Sequence, residues 1–459
     1  RTRLLHRTLS SHSGGILIFN PKGENLKTLA LAFPIVAGFL GQMLMGLVDT
    51  VMVGWVGVLP LAACAFANTI LSVPLICGFG LLSSVSVRAS HAFGSGTPHL
   101  AGESLRGGIF ISLVMSGALA LSAHLALPFL HLFGQPPEVN QAMGGYFLLC
   151  AWSFIPIFVT GTAKNVCEAL AKPWPPFWIM MGSVILNVLL NWIFIFGHLG
   201  APAMGLAGAG LATLLSRIAA MLGVLLYSSQ SLPGVWPRHW LAPGWLQESR
   251  RLFRIGIHSA GLNLSEVTGF SIGSVMMGWL GMIPLAAHQI ALSCAATTFM
   301  VPLGIGQAVS VRVSQARGSG QTQQIRPIIR GALGMTVIAM SFFAVIFLSM
   351  GHWIADGFVE DAAVQTLTVQ LLVLAGIFQI FDGLQIVSSG ALRGFADTKV
   401  PFLIGILSYW VLALPTSWIA AFPLGYGARG IWFGFVIGLA FAAAAMGSRV
   451  HNKIRALNA

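Results

Sequence analysis

The chain has 459 residues, of which 56% are hydrophobic and only 8% are charged. Soluble domains carry about 25% charged residues, so this composition excludes an ordinary soluble enzyme and a disordered chain, and it predicts a polytopic helical membrane protein. The formal net charge of +12 does not call for a nucleic-acid partner, because basic residues accumulate in the cytoplasmic loops of membrane proteins.

Twelve apolar stretches are long enough to cross a bilayer, which takes about 20 residues per helix. The sequence therefore predicts an all-α integral membrane fold, since helices satisfy the backbone in lipid and strand-like alternation is not seen. The predicted spans are 26–54, 61–87, 107–131, 141–163, 174–197, 203–227, 252–279, 285–311, 327–350, 364–391, 400–421 and 428–448.

The loops between these spans divide by charge. Of the 24 Lys and Arg residues, 22 fall on one side of the predicted membrane, and the exceptions are Arg217 in span 6 and Arg429 at the mouth of span 12. This bias predicts cytoplasmic termini in a plasma (inner) membrane. We expect Arg217 to extend to the cytoplasmic interface, with a counter-ion role as the alternative.

The ends of the chain differ from the spans. Residues 1–25 are rich in Arg and Ser and contain one acid, Glu24. We interpret them as a cytoplasmic leader, and a transit peptide fits the composition too. A basic linker at 228–251 separates an N-terminal half (26–227) from a C-terminal half (252–448), and a short cytoplasmic tail covers 449–459.

The two halves repeat each other. Residues 50–63 match residues 274–287 at nine of fourteen positions, and residues 78–96 match 302–320 at ten of nineteen, both at an offset of 224. Six spans return the chain to its starting side, so the halves share one orientation and are related by an axis along the membrane normal. Transporters built in this way bind substrate between the repeats.

Three of the twelve acids lie within spans: Asp49, Glu266 and Asp382. A carboxylate in lipid costs at least a few kcal/mol, so each is expected to face a cavity, to hold a cation or to take a proton. Glu266 and Asp382 lie near mid-depth, and their oxygens suit either Na⁺ or a proton. The repeat counterparts of Asp49 and Glu266 are Gly273 and Gln42, so the duplicated scaffold did not dictate these acids.

Other residues have weaker functional interpretations. Asn187 and Asn191 share one helical face and are expected to bond between helices. Pro34 can kink span 1 and is a candidate hinge, although a static bend is an equal alternative. Glu360 and Asp361 form an outer acidic cluster that could attract cations, with a solvated loop as the default.

No phosphate loop, GxSxG elbow or zinc spacing is found. A membrane enzyme therefore lacks a catalytic constellation, and transport would use an ion gradient or run downhill. An ion channel would need no duplication, and a structural scaffold would leave three buried carboxylates unexplained. We expect no cofactor beyond a coupling ion.

Several segments together resemble one family, the multidrug and toxic compound extrusion (MATE) transporters, in its NorM-like branch. The resemblance covers residues 26–448 and is carried by MGLVDTVMVG (45–54), LNWIFIFG (190–197), SEVTGF (265–270), LAAHQIA (285–291), VSVRVSQARGSG (309–320) and FDGLQIVSSGALRGFADTK (381–399). It implies two six-helix lobes around a V-shaped central cavity, and export of organic cations in exchange for Na⁺ or H⁺.

The resemblance also implies roles for single residues. Glu266 and Asp382 match the family's cation site, and Asp49 matches a residue implicated in proton or substrate coupling. A Tyr that assists the cation in some relatives is replaced here by Phe378, so the hydroxyl at that position is missing. We expect a monomer in the lipid bilayer. The alternative within the superfamily is a lipid-linked oligosaccharide flippase, for which a more cationic cavity is expected.

Overall fold

The computed structural model describes residues 21–232, 234–237, 239–240 and 244–458. Most of the predicted leader, residues 1–20, lies outside the described residues. All regular elements in the described ranges are helical.

The N-terminal half contains seven helices that make six crossings. They are α1 (Pro21–Gly54), α2 (Val58–Gly94), α3 (Pro98–Ala126, followed by a 3-10 helix at Leu127–Phe133), α4 (Pro137–Trp152), α5 (Phe154–Ala169), α6 (Trp174–Phe196) and α7 (Leu206–Ser231). Helices α4 and α5 form one crossing, interrupted at Ser153. The first helix begins at Pro21, five residues before the predicted span.

The C-terminal half repeats this plan. Its helices are α8 (Trp245–Leu280), α9 (Met282–Gly318), α10 (Ile325–Phe358), α11 (Ala362–Gly394), α12 (Lys399–Ile406), α13 (Leu414–Ala421) and α14 (Gly427–Asn458). A π-helical segment, Leu407–Ala413, joins α12 and α13 into one crossing. Helix α14 continues through the predicted tail.

Eleven crossings in the described residues are long and apolar enough to span a membrane on composition alone. The remaining crossing is α8, which has the length for a span but carries many polar residues and Glu266 in its sequence. Helix α8 occupies the place in the repeat that α1 has in the first half, so the prediction of twelve transmembrane helices is confirmed. The polar residues of α8 are consistent with a helix that faces other helices and the space between the halves.

The two halves pack with pseudo-twofold symmetry. Helix α1 packs on α6 of its own half and on α9 and α10 of the other half, and its counterpart α8 packs on α12 of its own half and on α2 and α3 of the other. Helices α2 and α9, which are also counterparts, cross each other. This exchange of equivalent helices is what two parallel repeats around an axis along the membrane normal require.

We call the end where α1 begins and α14 ends the basic end, and the opposite end the far end. The halves meet closely at the basic end, where glycines let backbones touch. A Cβ atom on Gly94 would lie 2.1 Å from the carbonyl oxygen of Gln315, and one on Gly318 would lie 2.2 Å from that of His91. These two contacts are equivalent at the repeat offset of 224.

Polar contacts between the halves follow the same distribution. Asn263 donates to the carbonyl of Ile76, Ser314 donates to that of Val87, and Gln315 donates to that of Ala169. Val87, Ala169, Ser314 and Gln315 lie in the basic-end portions of their helices, whereas Ile76 and Asn263 lie at the midpoints of α2 and α8. The Met43–Thr297 contact (3.9 Å) lies further toward the far end. The halves therefore join at the basic end and part toward the far end, which produces the V shape.

Candidate cation site and interlobe cleft

The two mid-depth carboxylates of the C-terminal half come together in the fold. Glu266 lies in α8 and is partly exposed, whereas Asp382 lies in α11 and is only 5% exposed. The two groups are close enough to interact electrostatically. Neither makes an ion pair with a described basic side chain, so their negative charge has no protein counter-ion among the residues placed in the structure.

Two residues that the sequence reasoning missed lie beside these carboxylates. Gln385 follows Asp382 by three positions and shares its helix face, and Tyr409 comes from the π-helical segment between α12 and α13. The Tyr409 hydroxyl lies near the side chains of Glu266 and Gln385 without making a hydrogen bond to either. The π-helical segment is the structural signal for Tyr409, because such segments often mark functional sites. The sequence pattern does not reveal this segment.

Several polar atoms of this cluster are buried without a partner in the described structure. They are Oδ1 of Asp382, both amide atoms of Gln385 and the hydroxyl of Tyr409. Gln385 is fully buried and Tyr409 is 2% exposed. Leaving a buried polar group unsatisfied costs about 1–3 kcal/mol, so a set of them beside two carboxylates indicates a place for a ligand.

Aromatic rings enclose one side of the cluster. Phe270 packs edge-on against Phe378, Tyr409 and Phe435, with ring centroids 5.8, 5.9 and 5.1 Å away. Phe378 also packs on Trp432 at 5.4 Å. Phe378 therefore serves as an apolar wall, and a low-dielectric wall strengthens electrostatic interactions at the carboxylates.

Another titratable side chain of this half, His288, is already satisfied. The indole of Trp432 donates to Nδ1 of His288 at 3.2 Å, and Nε2 lies 3.0 Å from the Ser274 hydroxyl. The ring is fully buried. Because both ring nitrogens are engaged with neutral partners, His288 serves helix packing.

Asp49 is placed apart from that cluster, in the N-terminal half. The Asn191 amide donates to its Oδ1 at 2.5 Å and the Thr213 hydroxyl donates to its Oδ2 at 3.3 Å. Asn191 also donates to Asn187. The two asparagines thus tie α6 to α1 around a carboxylate that is 7% exposed.

Arg217 has the position of a counter-ion rather than of an interfacial residue. Its guanidinium donates to the Ser153 hydroxyl at 2.6 Å, at the break between α4 and α5, and lies within electrostatic reach of Asp49. The expectation that it extends to the interface is wrong, because Ser153 offers a buried acceptor at mid-depth. Asp49 is therefore compensated by protein groups in a way that Glu266 and Asp382 are not.

The cleft between the halves is lined by the far-end portions of the helices that pair at the basic end. On α9, Gln289, Ser293 and Thr297 recur at every fourth position, and Thr297 reaches Met43 of the other half. On α8, Ser271 continues the face that begins at Ala260 and Asn263, two residues that touch α2. These polar side chains are fully or partly exposed, so the cleft wall mixes hydroxyl and amide groups with apolar residues.

The remaining predicted residues lie at a distance from these sites in sequence and topology. Pro34 is inside α1, which continues through it. Glu360 and Asp361 are exposed at the far end, where Asp361 caps α11 by accepting bonds from the backbone amides of Ala363 and Val364. The presence of Asp361 is therefore explained by its structural role as the N-cap of α11. The hinge role of Pro34 and cation attraction by Glu360 remain predictions.

The fold and these sites together define a multi-pass membrane transporter of two parallel repeats. The chain belongs to the MatE family, whose family model matches residues 34–193 and 259–419. The two matched segments begin 225 positions apart, in line with the internal duplication. Members of this family are transporters and not enzymes.

Curated relatives match nearly the whole chain. It is 35% identical over 436 residues to a probable multidrug resistance protein NorM of Mesorhizobium japonicum, covering 92% of each chain. It is 33% identical over 448 residues to the protein of the same name from Rhizobium meliloti, and 34% identical over 440 residues to the multidrug resistance protein NorM of Burkholderia vietnamiensis, with 94% of each chain covered in both cases.

Solved structures share the fold at lower identity. The Vibrio cholerae MATE transporter VcmN in its bent form superposes with a TM-score of 0.87 at 22% identity, covering 95% of this chain and 98% of that chain. The eukaryotic MATE transporter AtDTX14 gives 0.87 at 21% identity, with the same coverage. The prediction of a MATE fold in the NorM-like branch is thus confirmed.

The Asp49 network makes a testable prediction about stability. Asn191→Ala should lower the free energy of unfolding by about 1–3 kcal/mol, because it leaves a buried carboxylate without its closest donor. The double variant Asp49→Asn/Asn191→Ala should lose less than the sum of its single changes, since the unpaired charge is then gone. Thermal unfolding in detergent measures both effects.

The matched control for this cycle is Asn452→Ala, a surface change on α14 that should leave the unfolding temperature unchanged. Strict additivity of the two single changes in the cycle would contradict a direct Asn191–Asp49 interaction.

Proposed function

We propose that the protein is a secondary active multidrug exporter. It moves organic cations out of the cell in exchange for Na⁺ or H⁺, and its two halves give alternating access to a central cleft. The basic end lies on the cytoplasmic side of a bacterial-type inner membrane, with both termini on that side. The far end therefore opens to the outside, and the described conformation is outward-open.

The observation that carries the proposal is the pair Glu266 and Asp382. Two carboxylates inside a membrane bundle, without a described basic partner, are expected to bind a cation or a proton. The aromatic wall and the buried unpartnered oxygens around them support the same conclusion. A cation taken from outside would compensate these charges in the outward-open state.

Coupling requires that the ion and the cargo differ in affinity between the two states. The ion binds from the outside at Glu266 and Asp382 and favours release of the cargo from the cleft. The empty cleft then closes at the far end and opens at the basic end, where the ion leaves and new cargo enters. Asp49 is the second coupling site, in the other half.

The nature of the cargo follows from the cleft and the relatives. Exposed hydroxyl, amide and apolar groups on α8 and α9 suit varied amphipathic molecules, and acidic groups within the halves favour a positive cargo. Relatives at 33–35% identity are named multidrug resistance proteins. The transporter works as a monomer in the bilayer.

A lipid-linked oligosaccharide flippase is the alternative. It would need cationic groups in the cleft to hold a pyrophosphate. Among the described intramembrane charges, the acids Asp49, Glu266 and Asp382 outnumber Arg217, which is engaged with Ser153. This balance favours a cationic cargo over an anionic one.

Ethidium efflux from reconstituted vesicles tests the proposal, with a Na⁺ gradient or a pH gradient imposed separately. Efflux driven by Na⁺ alone identifies a metal-ion antiporter. Efflux driven by the pH gradient alone identifies proton coupling and increases the weight of Asp49. Failure of both gradients would eliminate the drug-antiporter function and favour the flippase.

Asp382→Asn should abolish gradient-driven efflux while leaving the protein folded, because it keeps the side-chain shape and removes one charge of the proposed cation site. Asp356→Asn is the matched control, since Asp356 is an exposed acid on α10 of the same half and its removal should leave efflux intact. Normal efflux by Asp382→Asn would disprove the site assignment.

A further inference from the structure

The cluster around Glu266 and Asp382 contains more oxygen atoms than a proton site needs. A proton binds to one carboxylate, and neutral oxygens are not required to hold it. Here Gln385 and Tyr409 turn polar atoms without partners toward the same buried site. A cation such as Na⁺ takes several oxygen ligands, of which carboxylates, amide carbonyls and hydroxyls are common examples in proteins.

We propose that Gln385 and Tyr409 are direct ligands of the coupling cation and make the site one for Na⁺ rather than for a proton. This inference rests on the function proposed above. Tyr409 supplies from the π-helical segment a hydroxyl that Phe378 on α11 cannot supply. The amide oxygen of Gln385 joins Asp382 from the same helix face, one turn away.

The local architecture holds Tyr409 in place for this role. The π-helical segment Leu407–Ala413 adds a residue to its turn and changes the direction of the side chains within it. Gly269 of α8 lets the ring approach, because a Cβ there would lie 3.3 Å from the Cβ of Tyr409. The ring then packs against Phe270, with its hydroxyl beside Glu266.

The comparison with Asp49 supports a cation in the C-terminal half. Asp49 has Asn191 and Thr213 as donors and Arg217 as a nearby positive charge. Each carboxylate of the Glu266–Asp382 pair has a second carboxylate nearby, whereas Asp49 has the positively charged Arg217 nearby. Two like charges in one apolar site are stable only if a cation or a proton accompanies them, and the additional oxygens select the cation.

The test measures the rise in unfolding temperature of the purified full chain as NaCl replaces choline chloride at constant ionic strength. Wild-type protein should show a saturable rise. Tyr409→Phe, which removes only the hydroxyl, should increase the half-saturating Na⁺ concentration by about tenfold, equivalent to about 1.4 kcal/mol. Gln385→Leu should act in the same direction.

Tyr146→Phe is the matched control, because Tyr146 is an equally buried tyrosine of the other half whose hydroxyl donates to Asn68 at 2.9 Å. It should leave the Na⁺ dependence unchanged. If Tyr409→Phe and Gln385→Leu lower the unfolding temperature without Na⁺ but keep the wild-type half-saturation, the residues are structural and the inference is overturned.

The vesicle assay separates this inference from the proposed function. Wild-type efflux driven by a pH gradient alone, with no Na⁺ effect on unfolding, overturns the inference and leaves the exporter function in place. A Na⁺ effect that the two variants weaken, without gradient-driven efflux, supports the cation ligands and removes the exporter function.

A different observation carries a second inference, about the closed basic end. Two ion pairs join the halves there. Arg88 of α2 donates to both carboxylate oxygens of Glu248 on α8, at 2.9 and 2.8 Å. Arg312 of α9 pairs with the carboxylate of Glu24 on α1 and donates to the Thr28 hydroxyl. Both arginines and both glutamates are separated by 224 positions, the offset of the repeat.

We infer that these two pairs are one symmetric latch that holds the basic end closed. Glu248 and Arg312 are more than nine-tenths buried, so solvent screens the pairs little, and opening the basic end must break both together. Each pair joins one half's first crossing to the other half's second crossing. Loss of either pair should therefore loosen both contacts.

Hydrogen exchange of the full chain in detergent tests the latch. Arg88→Gln and Arg312→Gln should each raise exchange by at least about tenfold in both segments 84–94 and 309–318, because each change removes the partner that ties a glutamate to the other half and leaves only its same-helix neighbour, Arg251 or Lys27. Arg449→Gln removes a comparable pair with Asp397 inside one half and should leave both segments unchanged.

The exchanged pair Arg88→Glu/Glu248→Arg should restore slow exchange in both segments. An increase confined to the segment that carries the substitution, or equal increases in Arg449→Gln, would show that the two pairs act locally and overturn the latch.

Discussion

The electrostatic cost of a carboxylate inside an apolar bundle governs much of this structure. In lipid each such group needs a donor, a counter-charge or a proton. The N-terminal half meets that need for Asp49 with Asn191, Thr213 and the nearby Arg217. The C-terminal half surrounds Glu266 and Asp382 with neutral oxygens and aromatic rings instead. In the proposed mechanism, the positive charge that compensates this pair comes from outside the protein.

The duplication explains the framework but not the chemistry. The close contacts at Gly94 and Gly318, and the pairs Arg88–Glu248 and Arg312–Glu24, all obey the repeat offset. Closure of the basic end is thus symmetric. The carboxylates are asymmetric, since Asp49 and Glu266 correspond to Gly273 and Gln42. In the proposed mechanism, the symmetric scaffold exchanges two states about its axis, while the asymmetric carboxylates bind the coupling ion.

The polarity of α8 shows how the membrane setting changes the interpretation of a sequence. Its composition alone falls short of a membrane span, yet it crosses with the other eleven. The helix packs against α2 and α3 at one end and lines the cleft and the carboxylate cluster at the other. Buried or cleft-facing polar groups are tolerated in the membrane because lipid does not touch them.

The sequence by itself determined the class, the number of crossings and the repeat, because hydropathy, charge bias and internal similarity are visible along the linear chain without knowledge of the packing. It also identified Asp49, Glu266 and Asp382, since an acid in an apolar stretch is visible without a fold. The tertiary structure decided their surroundings. Tyr409 and Gln385 reach the carboxylates through a π-helical segment and helix packing, and Arg217 turns inward to Ser153. Such contacts join residues far apart in the chain, so only packing in three dimensions can place them together.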